Sequence, residues 1–298
     1  MRASAGSSRR ADSSRARAAA KSRDYRILAC VGSLARAEII LNAAAAVAHH
    51  YDAEMIVLSV LEVPDGDLLA QGMEEAKTSE QALDRLVRRL QIEGIPVRVV
   101  VKISHRISYA VTETALEEQC NLIVMGRARR VGLMERFAAT IVDRVVRSMP
   151  AQVMVVTAES WPKQIDDVLF AYERGPHSKL SADLIKAFGR NHQTKVRTVH
   201  ILPWTATTEE SEKVEQEMNT ELGAQNLPGE RVVTRSGDIV TGLLREASNA
   251  DLIVIGGTEA GVIEQLLAYA PPLELADRTS IPVITVYEMS VDPKRWMI

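Results

Sequence analysis

A chain of 298 residues with 46% apolar and 25% charged composition has room for about two domains of ~150 residues each, which excludes collagen-like, disordered and disulfide-built architectures. Aromatics at 4% leave little stacking surface for single-stranded nucleic acid, and the longest apolar run, Ala43 to Ala48, is far short of the ~18 residues of a membrane span. The net charge of −3 is unevenly placed, since residues 1–23 carry +6 and the remainder −9.

Residues 1–23 form a Ser/Ala/Arg tail without apolar periodicity, which cannot offset its ordering entropy and is expected to be disordered. It lacks the apolar stretch of a secretory signal; a plain tail is favoured over a transit peptide or a basic arm for anionic surfaces. Tyr25 to Val31 reads as a buried strand, followed by a helix with Ala37, Ile40, Leu41, Ala44, Ala45 and Ala48 on one face. Met55 to Val63 is the next strand, stopped by Pro64, and Leu83, Leu86, Val87 and Leu90 predict a helix closed by Gly94. Val97 to Val101 is a third strand, leading to a helix with Val111, Ala115 and Leu116. The continuous apolar run Asn121-Leu-Ile-Val-Met-Gly126 suits a strand covered on both faces, and Val153 to Val156 is the last strand of the set.

The same order then recurs. Val168 to Tyr172 is a strand, Leu180, Leu184, Ile185 and Phe188 mark a helix, and Val196 to Leu202 is a strand ended by Pro203. Arg231 to Thr234 precedes a helix with Ile239, Leu243 and Ala247. Asp251-Leu-Ile-Val-Ile-Gly256 repeats Asn121–Gly126, and Val283–Val286 repeats Val153–Val156, both at an offset of 130; earlier in each half the offset is 139 and then 141. Alternating strands and helices, twice over, predict an α/β fold of two tandem doubly wound, five-stranded parallel-sheet domains. The expected divisions are a tail at 1–23, a first domain at 24–158, a linker at 159–163, a second domain at 164–290 and a C-terminal tail at 291–298. In such sheets ligands sit beyond the carboxyl ends of the strands, which directs attention to the residues after Val31, Gly126, Tyr172 and Gly256.

The repeated unit, with its Leu122-Ile-Val-Met-Gly126 and Pro150-Ala-Gln-Val-Met-Val-Val156 ending, resembles universal stress protein domains over residues 24–288. The resemblance implies a Rossmann-like fold of the adenine nucleotide alpha hydrolase type, with the last strands of the two copies paired as an intrachain pseudo-dimer. It also implies an ATP or AMP site, with magnesium only as nucleotide-bound metal, read from a G-x2-G-x9-G-[S/T] pattern after the fourth strand. There glycines let backbone N–H groups approach phosphates at a helix N-terminus. The first half offers Gly126, Arg127, Arg129, Ala139 and Thr140, so Arg129 and Ala139 stand where the pattern has glycine. Arg127, Arg129 and Arg130 could supply charge to a phosphate or form a solvated loop, and Thr140 with Asp143 also reads as a helix cap. Gly32 occupies the place of the family's strand-one acid. The second half keeps Gly256, Gly257 and the acid, as Glu173, but has Tyr269 and Ala270 in place of Gly-Ser/Thr. Glu259 and Pro271-Pro272 also oppose phosphate binding.

The stretch Arg26 to Pro64, and Gly94 to Val101 with Ser104-His105, are also similar to soluble C-terminal regions of amino-acid permeases and cation antiporters, which makes a transporter or other protein a candidate partner. No Walker loop, H-E-x-x-H or C-x2-C pair is present, and no acid, base and nucleophile converge, so an enzyme is not expected; weak nucleotide hydrolysis is the disfavoured alternative. His105 and His177 fall in switch-point loops, where a polar loop histidine is the simpler reading. Cys30 and Cys120 suit a reducing, cytoplasmic setting. The expectation is a regulatory stress-response protein that senses an adenine nucleotide weakly through its first half. It would self-associate through its last strands, within the chain and as a homodimer, without crossing a membrane or reading nucleic acid. The alternative is a nucleotide-free interaction module acting on a transporter.

Overall fold

The computed structural model describes residues 24–90, 92, 94–128, 141–148, 150–189, 194–257 and 271–288. The first half contains β1 (Arg26–Cys30), α1 (Leu34–Tyr51), β2 (Glu54–Glu62), α2 (Met73–Arg89), β3 (Val97–Ser104), α3 (Ile107–Glu117), β4 (Leu122–Gly126), α4 (Ile141–Ser148) and β5 (Gln152–Thr157). The second half contains β6 (Asp167–Ala171), α5 (His177–Phe188), β7 (Lys195–Leu202), α6 (Thr208–Ala224), β8 (Glu230–Arg235), α7 (Ile239–Glu246), β9 (Leu252–Gly256), α8 (Pro271–Arg278) and β10 (Val283–Tyr287).

The ten strands form one sheet in the order β3-β2-β1-β4-β5-β10-β9-β6-β7-β8. Within each half all pairs are parallel; β5 and β10 join the halves antiparallel, from Val283 opposite Thr157 to Tyr287 opposite Val153. The last strands are therefore central, and the exposed edges of the sheet are β3 and β8. That arrangement removes from solvent the edges of β5 and β10, which an isolated half would present as templates for further pairing.

Side-chain alternation divides the core by face. Ile27, Ala29, Met154, Phe170 and Ile284 belong to a single core that spans both halves, while Leu28, Ile56 and Val145 lie in a core of the first half and Leu169, Val199 and Leu275 in a core of the second. On the shared face α1 packs against α5. Near this junction Tyr25 and Tyr51 stack with ring centroids 4.3 Å apart.

Several sequence expectations are corrected in detail. The helix expected to close at Gly94 ends at Arg89 with Leu90 as its C-cap; Gly94, at φ +72°, instead turns the chain toward β3. α6 has no counterpart in the periodicity reading, because few of its residues are buried, Met218 and Leu222 among them. Its sequence signal lies at its start, where the Thr207 hydroxyl accepts from the Glu210 N–H and the Glu210 carboxylate accepts from the Thr207 N–H. Among the described residues no helix is long and apolar enough to cross a membrane. The expected tails at 1–23 and 291–298 lie outside the described residues.

Candidate functional site

Because β1 and β4 are neighbours whose connections leave in opposite directions across the sheet, a crevice opens past their carboxyl ends, and β6 and β9 do the same in the second half. The two crevices differ in chemistry.

The first is a cavity of about 490 Å³ with a floor of Val31, Leu58 and Met125, and a rim that includes Gly32, Ser33, Arg36 and Gly126. Ser33 is the N-cap of α1 but its hydroxyl makes no capping bond. Gly32 is exposed, and a Cβ built on it meets nothing within 4 Å, so the missing acid leaves open space. A Cβ on Gly126 would come within 3.0 Å of Ile40 Cδ1. Glycine therefore keeps the backbone of β4 close to α1 and the cavity mouth clear.

Arg127, expected among the phosphate-binding cations, turns away from this cavity. It is 8% exposed, and its guanidinium donates to Asp143 Oδ1 of α4 at 2.6 Å. Its backbone N–H is also engaged, with Val156 O at 2.9 Å. A buried cation needs a partner, and Asp143 supplies it from within the fold. Among the described residues the cation that lines the cavity is Arg36, exposed on the first turn of α1. The motif-based reading missed it because the motif lies after β4, whereas Arg36 follows β1. Arg129, Ala139 and Thr140, expected to complete this site, lie outside the described residues.

The second cavity, about 350 Å³, is lined by residues that include Glu173, Arg174, His177, Ser178, Gly256 and Gly257. Glu173 is exposed at its rim. A Cβ on Gly257 would stand 2.1 Å from Cε1 of the buried Tyr287, and the Gly257 N–H is bonded to Val286 O at 2.7 Å. Gly257 thus serves the packing of Tyr287 and has no N–H left for a phosphate. Burial pushes the Tyr287 hydroxyl above the usual phenol range against the opposing pull of Arg127, with Asp143 raising it further. Downstream, α8 opens with Pro271-Pro272, so two N–H groups that could face an anion are absent. Glu259, Tyr269 and Ala270 lie outside the described residues.

The two loop histidines have separate settings. His105 Nδ1 lies 2.9 Å from Val63 O and 3.1 Å from Pro64 O, which pins the β2 exit to the β3 exit. His177 Nδ1 accepts from the Glu288 N–H at 2.9 Å, and the His177 ring borders the second cavity. Among the described residues no group of three or more His, Cys, Asp or Glu is placed to hold a metal ion.

The universal stress protein family matches residues 25–157, within the first half of the chain. Among solved structures, a universal stress protein from Archaeoglobus fulgidus superposes with a TM-score of 0.67 at 16% identity, covering 90% of this chain and 97% of that one. The cytoplasmic domain of a prokaryotic cation chloride cotransporter gives a TM-score of 0.57 at 12% identity, with 89% of this chain and 95% of that one covered. These are likenesses of fold that extend over both halves. No curated protein sequence matches the chain.

Proposed function

We propose that the chain is a tandem universal stress protein with a regulatory role, in which the first-half crevice takes an adenine nucleotide weakly and the second-half crevice takes none. The observation that supports this reading is the contrast between the crevices. The first keeps an open cavity of about 490 Å³ with Arg36 and the uncapped Ser33 end of α1 on its rim. In the second, Gly257 has its N–H bonded to Val286 O and lies against Tyr287, and Pro271-Pro272 opens the following helix. Weak binding follows from Gly32, which leaves no carboxylate to accept from ribose or adenine.

Isothermal titration of ATP and AMP into the full chain tests the reading. Gly126→Val should abolish binding, because its branched side chain enters the mouth already bounded by Ile40. Gly32→Asp should tighten it about tenfold, as one charge-assisted hydrogen bond would. Absence of heat with both nucleotides, for the native chain and for Gly32→Asp, would overturn it.

A second reading is a nucleotide-free module acting on a membrane transporter. The likeness to a cotransporter's cytoplasmic domain supports it. Recovery of one transporter by the full chain from detergent-solubilised membranes, undiminished by Gly126→Val, would favour it over nucleotide sensing.

A further inference from the structure

The second-half crevice contains two hydroxyls that the fold does not require. Ser178 and Ser181 are 2% and 0% exposed, and neither Oγ has a hydrogen-bond partner among the described residues. At the offset of 141 that relates β1 to β6, these positions correspond to Ala37 and Ile40 of α1, both buried in the core. Buried positions along α1 and α5 agree in that register, so the two helices present the same face to the sheet. The architecture is thus satisfied by apolar side chains here, and the second half has exchanged them for groups that cost free energy when left unpaired.

Both serines line the 350 Å³ cavity. Separated by three residues, they lie on one side of α5, and side chains on a helix lean toward its N-terminus, here the open end of the crevice. α5 runs for twelve residues from His177; Pro176 at the N-cap supplies no side-chain bond, and the Ser178 N–H donates to Gly175 O at 3.3 Å. Two hydroxyl donors and the positive end of a helix therefore border one half-open cavity. At the rim Arg174, paired with Glu217 at 3.1 Å, adds a cation and Glu173 adds an acid. Glu173 repels a multiply charged group but can accept a hydrogen bond from a ligand hydroxyl or ammonium.

We propose that this cavity binds the carboxylate of a small hydroxy acid or amino acid, held by Ser178, Ser181 and the α5 N-terminus, with the hydroxyl or ammonium of the same ligand turned toward Glu173. The site borders the phosphate-loop position after β9 through Gly256 and Gly257, the second of which has its N–H already bonded to Val286 O, and does not depend on nucleotide binding in the first half.

The test uses the full chain with acetate, lactate and free glycine as probes, against sodium chloride at matched ionic strength. The thermal midpoint should rise with the logarithm of probe concentration above half-saturation, with lactate and glycine stronger than acetate. Amide resonances of His177 to Leu180 should shift with the same curve. The double variant Ser178→Ala, Ser181→Ala should be at least as stable as the native chain without probe and should bind at least about tenfold more weakly. Gly126→Val, in the other half, should leave the response intact, which separates failure here from failure of the nucleotide reading. The proposal is overturned by the absence of a saturable response to all three probes or by an equal response in the double variant. It is also overturned if the double variant is less stable without probe, since the hydroxyls would then serve the fold.

Discussion

Gly257 looks like half of a phosphate-binding glycine pair, yet the ring of Tyr287 occupies the space a side chain would need. Gly257→Ala must displace a buried ring whose neighbours include His177, at a centroid distance of 6.1 Å. It should cost about 1–3 kcal/mol of stability, the usual penalty of overpacking, measured by urea unfolding. Arg127 carries a similar lesson. Its side chain is 7% exposed and that of Asp143 19%, so Asp143→Ala would strand a guanidinium in the core. That variant should lose about 3–5 kcal/mol in urea unfolding, while Arg127→Met in the same background should recover most of the loss. Both residues were visible in the sequence as members of a motif, but motif spacing cannot tell which way a side chain turns. Arg36 and the two serines were missed for the converse reason: they fit no pattern, and only the cavities they line, the first-half one for Arg36 and the second-half one for Ser178 and Ser181, give them meaning.

At the scale of elements, the strands were readable because a parallel sheet covered on both faces writes itself as uninterrupted apolar runs, as in Leu122–Gly126 and Leu252–Gly256. Helices packed by one narrow face are harder, and α6 shows why. Its sequence is mostly Glu, Gln, Thr and Lys, and what holds its start is the reciprocal pair of bonds between Thr207 and Glu210. Thr207→Ala removes one of those bonds and should destabilise the chain by about 1 kcal/mol in denaturant unfolding. Serine at the same position should restore most of the loss. The register of α1 against α5 was legible only in part, because Leu180, Leu184 and Ile185 matched the expected period while the serines between them did not.

For the molecule as a whole, the division into two copies was evident from the repeat. Their joining along β5 and β10 followed from the resemblance and from the apolar character of both strands. The junction has a pH signature. Burial, with smaller contributions from Asp183 and Glu288, pushes the Tyr51 hydroxyl from 10.0 up to about 12, and Tyr25, stacked on it, is raised further. Below about pH 10 both rings are neutral folded or unfolded, and stability is unaffected; between about pH 10 and 12 the unfolded chain ionises first and stability falls. Replacing both tyrosines with phenylalanine should make that alkaline limb shallower in fluorescence-detected unfolding, the remainder coming from Cys30, Cys120, Tyr172 and Tyr287, whose acid groups are also raised.

The same junction predicts what a single half would do. Cutting the chain after residue 158 leaves β5 with the backbone groups of Val153 to Thr157 unpaired on one side, and its apolar side chains lose the cover that β10 and Tyr287 provide on the native sheet. A strand in that state is a template for another of its kind. Antiparallel pairing of β5 with β5 from a second copy would repeat the geometry of β5 with β10, since the two halves share one topology. Residues 24–158 should therefore sediment as a dimer at micromolar concentration. A fragment that is folded and monomeric would mean that the β5 edge is tolerated in water. The joining of the halves would then have to be explained by the α1–α5 contact on the shared face of the sheet.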